Sequence, residues 1–448
     1  MKNKPNDYVI RILNSPLDVD GAAWNALLAA QSPDGVLNPF MRHEYLAALH
    51  ASGSAAPRTG WTPCFITLWQ GGALAGACAL YLKAHSYGEY VFDWAWANAY
   101  QQHGLAYYPK AVVAVPFTPV PGARLLARTA ADRTALVQAA LAWCGQEKLS
   151  SFHLLFGNEE DIGTCAAANL MQRHTVQFHW TNVAPTLPTA CGSLPPKGAN
   201  FSRGGPSKNS SPGYASFDEF LASLSHEKRK KIRQERRRVA DAGVSFRWAV
   251  GADITAQDWD FFYRCYERTY LEHGNSPYLS RDFFHRMAST MPESWLLFVA
   301  EQDGQPIATS LIAIYTRPAR ENSQNAPPIM PNPVGSGRGP VEANRVAYGR
   351  YWGALKRVDC LHFEACYYQP LQWCITQGFD RFEGGAQGEH KMARALMPVK
   401  TSSAHWLAHP AFADAVERFL EREGAGISSY MGELSERSPF RQGAPGII

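Results

Sequence analysis

Residues 383–391 read Glu-Gly-Gly-Ala-Gln-Gly-Glu-His-Lys. Glu383 ends an expected strand (Arg381–Gly384). Two glycines that permit positive φ or a close backbone approach follow, then Gln387, Glu389, His390 and Lys391 at the start of an expected helix running to Leu396. An acid, an imidazole and an ammonium beside a glycine turn suit proton transfer coupled to anion stabilisation. Glu383 or His390 would be the base, and Lys391 the contact to an oxyanion or phosphate. The competing reading is a helix N-terminus carrying solvated charges. Upstream, His362 and Glu364 open an expected helix over Phe363–Gln377. A helix N-terminus attracts anions, so they either meet substrate or, for Glu364, cap the helix.

A second set lies in the first half. Asp93-Trp94-Ala-Trp96 and Tyr107-Tyr108 flank a possible pocket. If the segment is a strand, Trp94 and Trp96 share one face and Asp93 takes the other. Lys110 and Arg124 would then grip phosphate or carboxylate groups. The alternative is an aromatic core with one capped acid.

The third set is electrostatic. Lys228–Arg238 holds eight basic residues and one acid, a net +7, inside a chain whose formal charge is +4. The remainder is therefore slightly acidic, which excludes a generally nucleic-acid-coating protein. Lys228, Arg229, Lys230, Lys231 and Arg233 lie in one expected helix, Phe217–Ala242, with acids near its start and bases toward its end, as the helix dipole favours. The candidate partners are a tRNA backbone, an anionic membrane surface, or the phosphates of a nucleotide. A merely solvated basic face is the alternative.

Positioning these groups takes two domains, and 448 residues at 46% hydrophobic content are enough for two cores. Pro185–Pro212 and Arg317–Pro340 have linker composition, so the expected division is 1–184, a linker at 185–213, and 214–448 with an insertion at 317–340. Helices are expected at Gly21–Ala30, Arg42–His50, a segment capped by Asp132 and ending at Glu147, and Asp161–Met171. Strands are expected at Cys64–Trp69, Ala73–Lys83, Pro109–Pro116, Phe152–Phe156 and Thr175–Trp180. The second half repeats the plan with helices Asp258–His273 and Arg281–Thr290 and strands Trp295–Glu301, Pro306–Tyr315, Val346–Ala354 and Ser403–Leu407, then a helix from Ala411 to Glu423. This is an α/β tandem duplication with similar hairpins at Gln70-Gly-Gly and Asp303-Gly304. The uncharged stretch Gly60–Leu82 is broken by Pro63 and Gly71-Gly72 and reads as that hairpin, not a membrane span. The N-terminus lacks the apolar core of a secretory signal. Nine scattered cysteines without C-x-x-C fit reduced thiols, so a cytoplasmic protein is expected. No metal is expected: His405 and His409 are followed by Pro410 and lack an acidic third ligand.

The order of elements resembles the GNAT N-acetyltransferase fold used twice, each unit a mixed, mostly antiparallel sheet flanked by helices. Tandem GNAT units resemble the FemAB-like proteins, described as peptidoglycan biosynthesis/recognition proteins and N-acyltransferases. The blocks that carry the resemblance are Phe92–Ala97, Tyr107–Lys110, Val115–Val120, Gln177–Trp180, Lys228–Arg233, Gly349–Gly353, His362–Glu364 and Gly385–Lys391. The resemblance implies a V-shaped cleft between splayed strands, in which an amine attacks an acyl carbonyl directly without metal. It implies acyl-CoA or aminoacyl-tRNA as donor, and a small-molecule or cell-wall-precursor amine as acceptor. Arg350-Tyr-Trp-Gly353 matches half of the fold's pyrophosphate loop, with Leu355 where a small residue is usual. Arg350 and Gly353 would then contact the donor. The rival reading is a recognition protein that binds a cell-wall precursor or similar anion without turnover.

Overall fold

The computed structural model describes residues 8–32, 37–183, 213–315, 345–386 and 388–441. Residues 185–212 and 317–340, Cys191 and Gln387 lie outside the described residues. The first half runs β1 (Val9–Leu13), α1 (Gly21–Ala30), α2 (His43–Ala51), β2 (Trp61–Pro63), β3 (Phe65–Gln70), β4 (Ala73–Cys78), β5 (Leu80–Lys83), α3 (Trp94–Gln102), β6 (Lys110–Val113), β7 (Leu126–Ala127), α4 (Ala130–Gln146), β8 (Ser151–Gly157), α5 (Glu159–Ala167) and β9 (Met171–Thr181). The second runs α6 (Phe217–Ser223), α7 (His226–Asp241), β10 (Val244–Val250), α8 (Ala256–Glu272), α9 (Arg281–Thr290), β11 (Trp295–Gln302), β12 (Gln305–Ile314), β13 (Val346–Ala354), α10 (Leu361–Phe363), a π turn (Glu364–Tyr368), α11 (Gln369–Gln377), β14 (Arg381–Ala386), a 3₁₀ turn (Glu389–Arg394), β15 (Met397–Leu407) and α12 (Pro410–Glu436).

From β10 the second half follows the expected strand, two helices, hairpin, strand, helix, strand order, and the first half carries the same order with β2, β5, α3 and β7 added. The sheets join. One four-stranded sheet has the order β1-β3-β4-β7, and an eleven-stranded sheet runs β10-β11-β12-β13-β14-β9-β15-β8-β6-β5-β2. The last strand of each half sits in the other's sheet: β9 pairs with β14, β15 pairs with β8, and β9 and β15 pair with each other antiparallel. A single apolar core crosses between the halves, with Phe40 and Tyr45 of the first packed on Tyr348 and Phe283 of the second.

Several local expectations change. Trp94 and Trp96 lie on helix α3, not a strand, and Asp93 is its N-cap position. The expected Phe217–Ala242 helix is two helices, because Ser225 caps α7 by accepting the Lys228 N–H. The cap of α4 is Thr129, whose Oγ1 accepts the Asp132 N–H and donates to its carboxylate at 2.8 Å. Gly60–Leu82 does form strands, and no helix among the described residues is long and apolar enough to cross a membrane.

Candidate active cleft between splayed strands

Strands β13 and β14 are parallel and bonded only over Val346–Tyr348 and Arg381–Glu383; beyond that they diverge into a fork. Both arms are irregular at the mouth. On β13, Leu311 faces Tyr351 and Ile312 faces Gly349, so Arg350 is the extra residue of a β-bulge. On β14, Glu383 faces His179 and Ala386 faces Gln177, which places an extra residue in Gly384-Gly385. Gly385 has φ +75°, and a Cβ on Gly384 would collide with Leu396 and the Phe178 carbonyl. The glycines predicted to allow close backbone approach do so here.

Lys391 holds this arm. Its buried ammonium donates to the carbonyls of Gly384 (2.7 Å), Gly385 (3.3 Å) and Ala386 (2.9 Å). An ammonium has three N–H donors, and all three are used. The oxyanion role expected for Lys391 is thus replaced by shaping the strand end. Burial and the nearby Arg350 charge pull its pKa down to about 8.

The fork opens into a cavity of about 1320 Å³ between the two halves. Gly349–Trp352, Gly384–Ala386 and Glu389 supply one side; Ser86–Gly88, Tyr90–Phe92, Trp94, Phe117 and Pro119 supply the other. Tyr266, Tyr270, Tyr278 and Tyr430 complete a strongly aromatic wall, with Arg350 and Arg173 its cations. Arg173 is neutralised by a two-pronged pair with Glu423 (2.8 and 2.7 Å). Arg350 has no carboxylate partner among the described residues. Its Nη2 donates to the Phe117 carbonyl at 2.9 Å, and its buried Nε has no acceptor. A guanidinium stays charged in proteins, so this one presents an unfilled positive fork to the cavity.

Of the first-half candidates, only Trp94 lines the cavity. Lys110 is wholly buried and binds Ser86 Oγ (2.8 Å), Glu89 (2.8 Å) and Asp93, while Tyr107 donates to Asp93 (2.7 Å) and Tyr108 shares a bond with Ser86 (2.8 Å). These groups anchor the loop 84–93 that forms the wall, and Asp93, Tyr107, Tyr108 and Lys110 are not among the residues that line the cavity. The Lys110 charge holds the Asp93 carboxyl far below the usual range despite its burial, whereas burial pushes Glu89 up to about 7. Trp96 packs against His405 and His153 behind that wall. Arg124 is also interior. It binds the Val120 carbonyl and the Leu155 carbonyl (3.0 Å), and Gly122 bridges to Gly157. The equivalent β6/β8 fork is therefore filled by the chain's own 117–124 segment.

The expected pyrophosphate loop is not a loop. Arg350–Gly353 lies within β13, and a Cβ on Gly353 would strike the α8 backbone at Cys265. Gly353 lets a helix approach a strand and does not contact the cavity. Glu364 is buried and paired with Arg236 (3.1 Å) and Gln369 (2.8 Å), so it anchors α7, neither capping a helix nor meeting substrate.

Glu383 is 5% exposed and does not line the cavity. One oxygen takes Arg381 at 2.9 Å; the other lies 4.0 Å from His179 Nε2. Burial raises Glu383 to about 6, against the pull of Arg381, and lowers His179 to about 3, aided by the Arg381 and Lys391 charges. Gln177 and His179 share one face of β9, an alternation visible in the sequence, and the register sets His179 opposite Glu383, which the sequence does not reveal. His390 is solvent-exposed and, like Glu383, is not among the residues that line the cavity, although its neighbour Glu389 is; its Nε2 lies 3.5 Å from the Tyr367 hydroxyl. Desolvation and the charges of Arg394 and Lys391 lower its pKa from the ordinary imidazole value. His362, exposed at the first turn of α10, contacts Trp352 and Tyr367, and Tyr367 in turn meets the His390 ring.

Helix α7 is clamped beside this group. Glu235, on its buried face, accepts from Tyr368 and from Arg394 (2.8 Å), and Arg394 also donates to the His390 carbonyl (2.8 Å). Lys228 and Lys231 stand seven and four residues before Glu235, on the same side of the helix. Arg229, Lys230, Arg233 and Arg237 point away from it and have no ion-pair partner among the described residues.

The chain is similar to the FemAB-like family model, described as peptidoglycan biosynthesis/recognition, over residues 15–186, 206–317 and 340–442. No curated protein matches it significantly. Among solved structures it is similar to FemX (9% identity, 89% of this chain and 98% of that one, TM-score 0.47). It is similar to the C-terminal domain of a putative lysylphosphatidylglycerol synthetase from Agrobacterium fabrum (10%, 90% and 96%, 0.46). It is also similar to a tandem GNAT protein from the clavulanic acid biosynthesis pathway (11%, 90% and 99%, 0.42).

Proposed function

The chain belongs to the FemAB-like family, and from that premise and the cleft we propose that it is an N-acyltransferase that moves an acyl or aminoacyl group onto an amine. The observation that carries this is the β13/β14 fork, with the exposed His390 imidazole beside one arm and, on the other, the Arg350 guanidinium, which has no carboxylate partner among the described residues. His390 takes the proton as the amine nitrogen bonds to the acyl carbon. The tetrahedral intermediate then collapses, its C–O or C–S bond to the carrier breaks, and the carrier leaves with a proton. Arg350 binds an anionic group of the substrate. Lys391 and Lys110 position the two walls.

For the donor, we favour aminoacyl-tRNA over acyl-CoA. The R-x-x-G residues are strand, which removes the amide-lined loop expected to hold a pyrophosphate, and Lys228 and Lys231 offer cations beside the fork. The acceptor would be a cell-wall-precursor amine, large enough to use a cavity of this volume, and a cytoplasmic setting fits both substrates.

Incubating the protein with radiolabelled aminoacyl-tRNA or acyl-CoA and a panel of amines tests the reading. Amine-dependent loss of label from tRNA, reduced about 100-fold or more in His390→Ala, is expected. Saturable binding of an amine with no transfer from either donor would instead establish a recognition protein.

A further inference from the structure

The basic helix carries two cation sets, and only one faces the fork. Arg229, Arg233 and Arg237 recur at i, i+4 and i+8, and Lys230 lies beside them; this stripe runs to one side of the face that buries Ile232 and Val239. Arg233 and Arg237 rim a separate groove of about 480 Å³ between α6, α7 and the start of β10. Its floor is apolar: Phe217 and Leu221 from α6, Val239 from α7, and Val244 and Phe246 from β10. Asp218 and the Arg236–Glu364 pair also line it, which leaves a net positive rim. Trp248 continues the same face of β10, touches Trp373, and is 52% exposed. β10 is the outermost strand of its sheet.

We propose that this face docks the protein on an anionic lipid bilayer. The four cations would meet lipid phosphates, Trp248 would sit at the headgroup level, and the groove would take part of an acyl chain. Charge complementarity decides for the stripe, and the exposed indole beside an apolar groove decides for lipid over a polyanion alone. Trp is favoured at membrane–water interfaces, and clustered Lys and Arg are drawn to anionic leaflets. RNA would meet the stripe but would leave the apolar groove unused. This surface is independent of the transferase reading, since docking needs no turnover.

Co-sedimentation with vesicles tests it. Phosphatidylcholine vesicles containing 30% phosphatidylglycerol should capture the protein at physiological salt, and pure phosphatidylcholine should not. Arg229→Gln, Lys230→Gln, Arg233→Gln and Arg237→Gln combined should weaken partitioning by about two to three orders of magnitude. Trp248→Ala alone should weaken it several-fold with unchanged thermal stability. Amine-dependent transfer in vesicle-free solution should be unchanged in the four-charge variant. Absence of capture, capture insensitive to the four substitutions, or loss of tRNA binding in that variant with vesicle binding intact would each overturn the proposal.

Discussion

At the residue scale, the cleft separates groups that act from groups that hold. Glu383 and His390 both had the chemistry of a base in the sequence; burial distinguishes them. Neither side chain lines the cavity; Glu383 is buried with one oxygen on Arg381, while His390 is solvent-exposed. His390→Ala is therefore expected to lower kcat far more than Glu383→Gln, with thermal melting checked in parallel. Because the His390 pKa lies below the ordinary 6.5, the acid limb of the kcat profile should fall below pH 6.5 and vanish in His390→Ala. A second pH effect concerns stability. His405 is buried against His153 (2.8 Å between Nδ1 atoms) and its pKa is depressed to about 3. Between pH 6.5 and 3 the unfolded chain binds a proton there that the folded chain refuses, so stability is lost as pH falls through that window. In His405→Gln the slope of melting temperature against pH below 6.5 should be shallower than in the wild type.

At the element scale, the bounds of α1, α9 and β13 were legible to the residue, because their hydrophobic periods and caps agree with their packing. α3 was not: its aromatic-rich start reads as strand, and only burial of Trp96 and Tyr100 on one helix face shows otherwise. The Ser225 cap was readable in hindsight as the Ser-His-Glu-Lys that opens α7. The glycine block 383–391 was found from its residue types, but which cation serves substrate was not, since Lys391 is spent on carbonyls that no spacing rule reveals. Lys110 and Arg124 mislead for the same reason: a lysine or arginine buried by tertiary contacts looks in sequence like one on the surface. Gly353 gives a direct test of element packing. Gly353→Ala forces β13 off α8 and should cost about 1–3 kcal/mol, seen as a lower melting temperature.

For the whole molecule, the repeated order of elements was visible, but the exchange of β9 and β15 was not. Alternation tells which residues face a core; it does not tell which sheet accepts the strand. The consequence is mutual dependence. Residues 1–183 expressed alone would present β8 without β15, and 213–448 would present β14 without β9. Each half alone should be aggregated or molten by near-ultraviolet circular dichroism, and co-expression of the two should recover the native signal. The cleft depends on this exchange, since Phe178 on β9 helps build the wall against Gly384.

The central claim is that the β13/β14 fork transfers an acyl group, and single-turnover transfer from labelled aminoacyl-tRNA to a cell-wall-precursor amine tests it most directly. The account predicts label in the amine product with wild-type protein and about 100-fold slower appearance with His390→Ala. Label that stays on the tRNA, or that moves equally fast with both proteins, would contradict it.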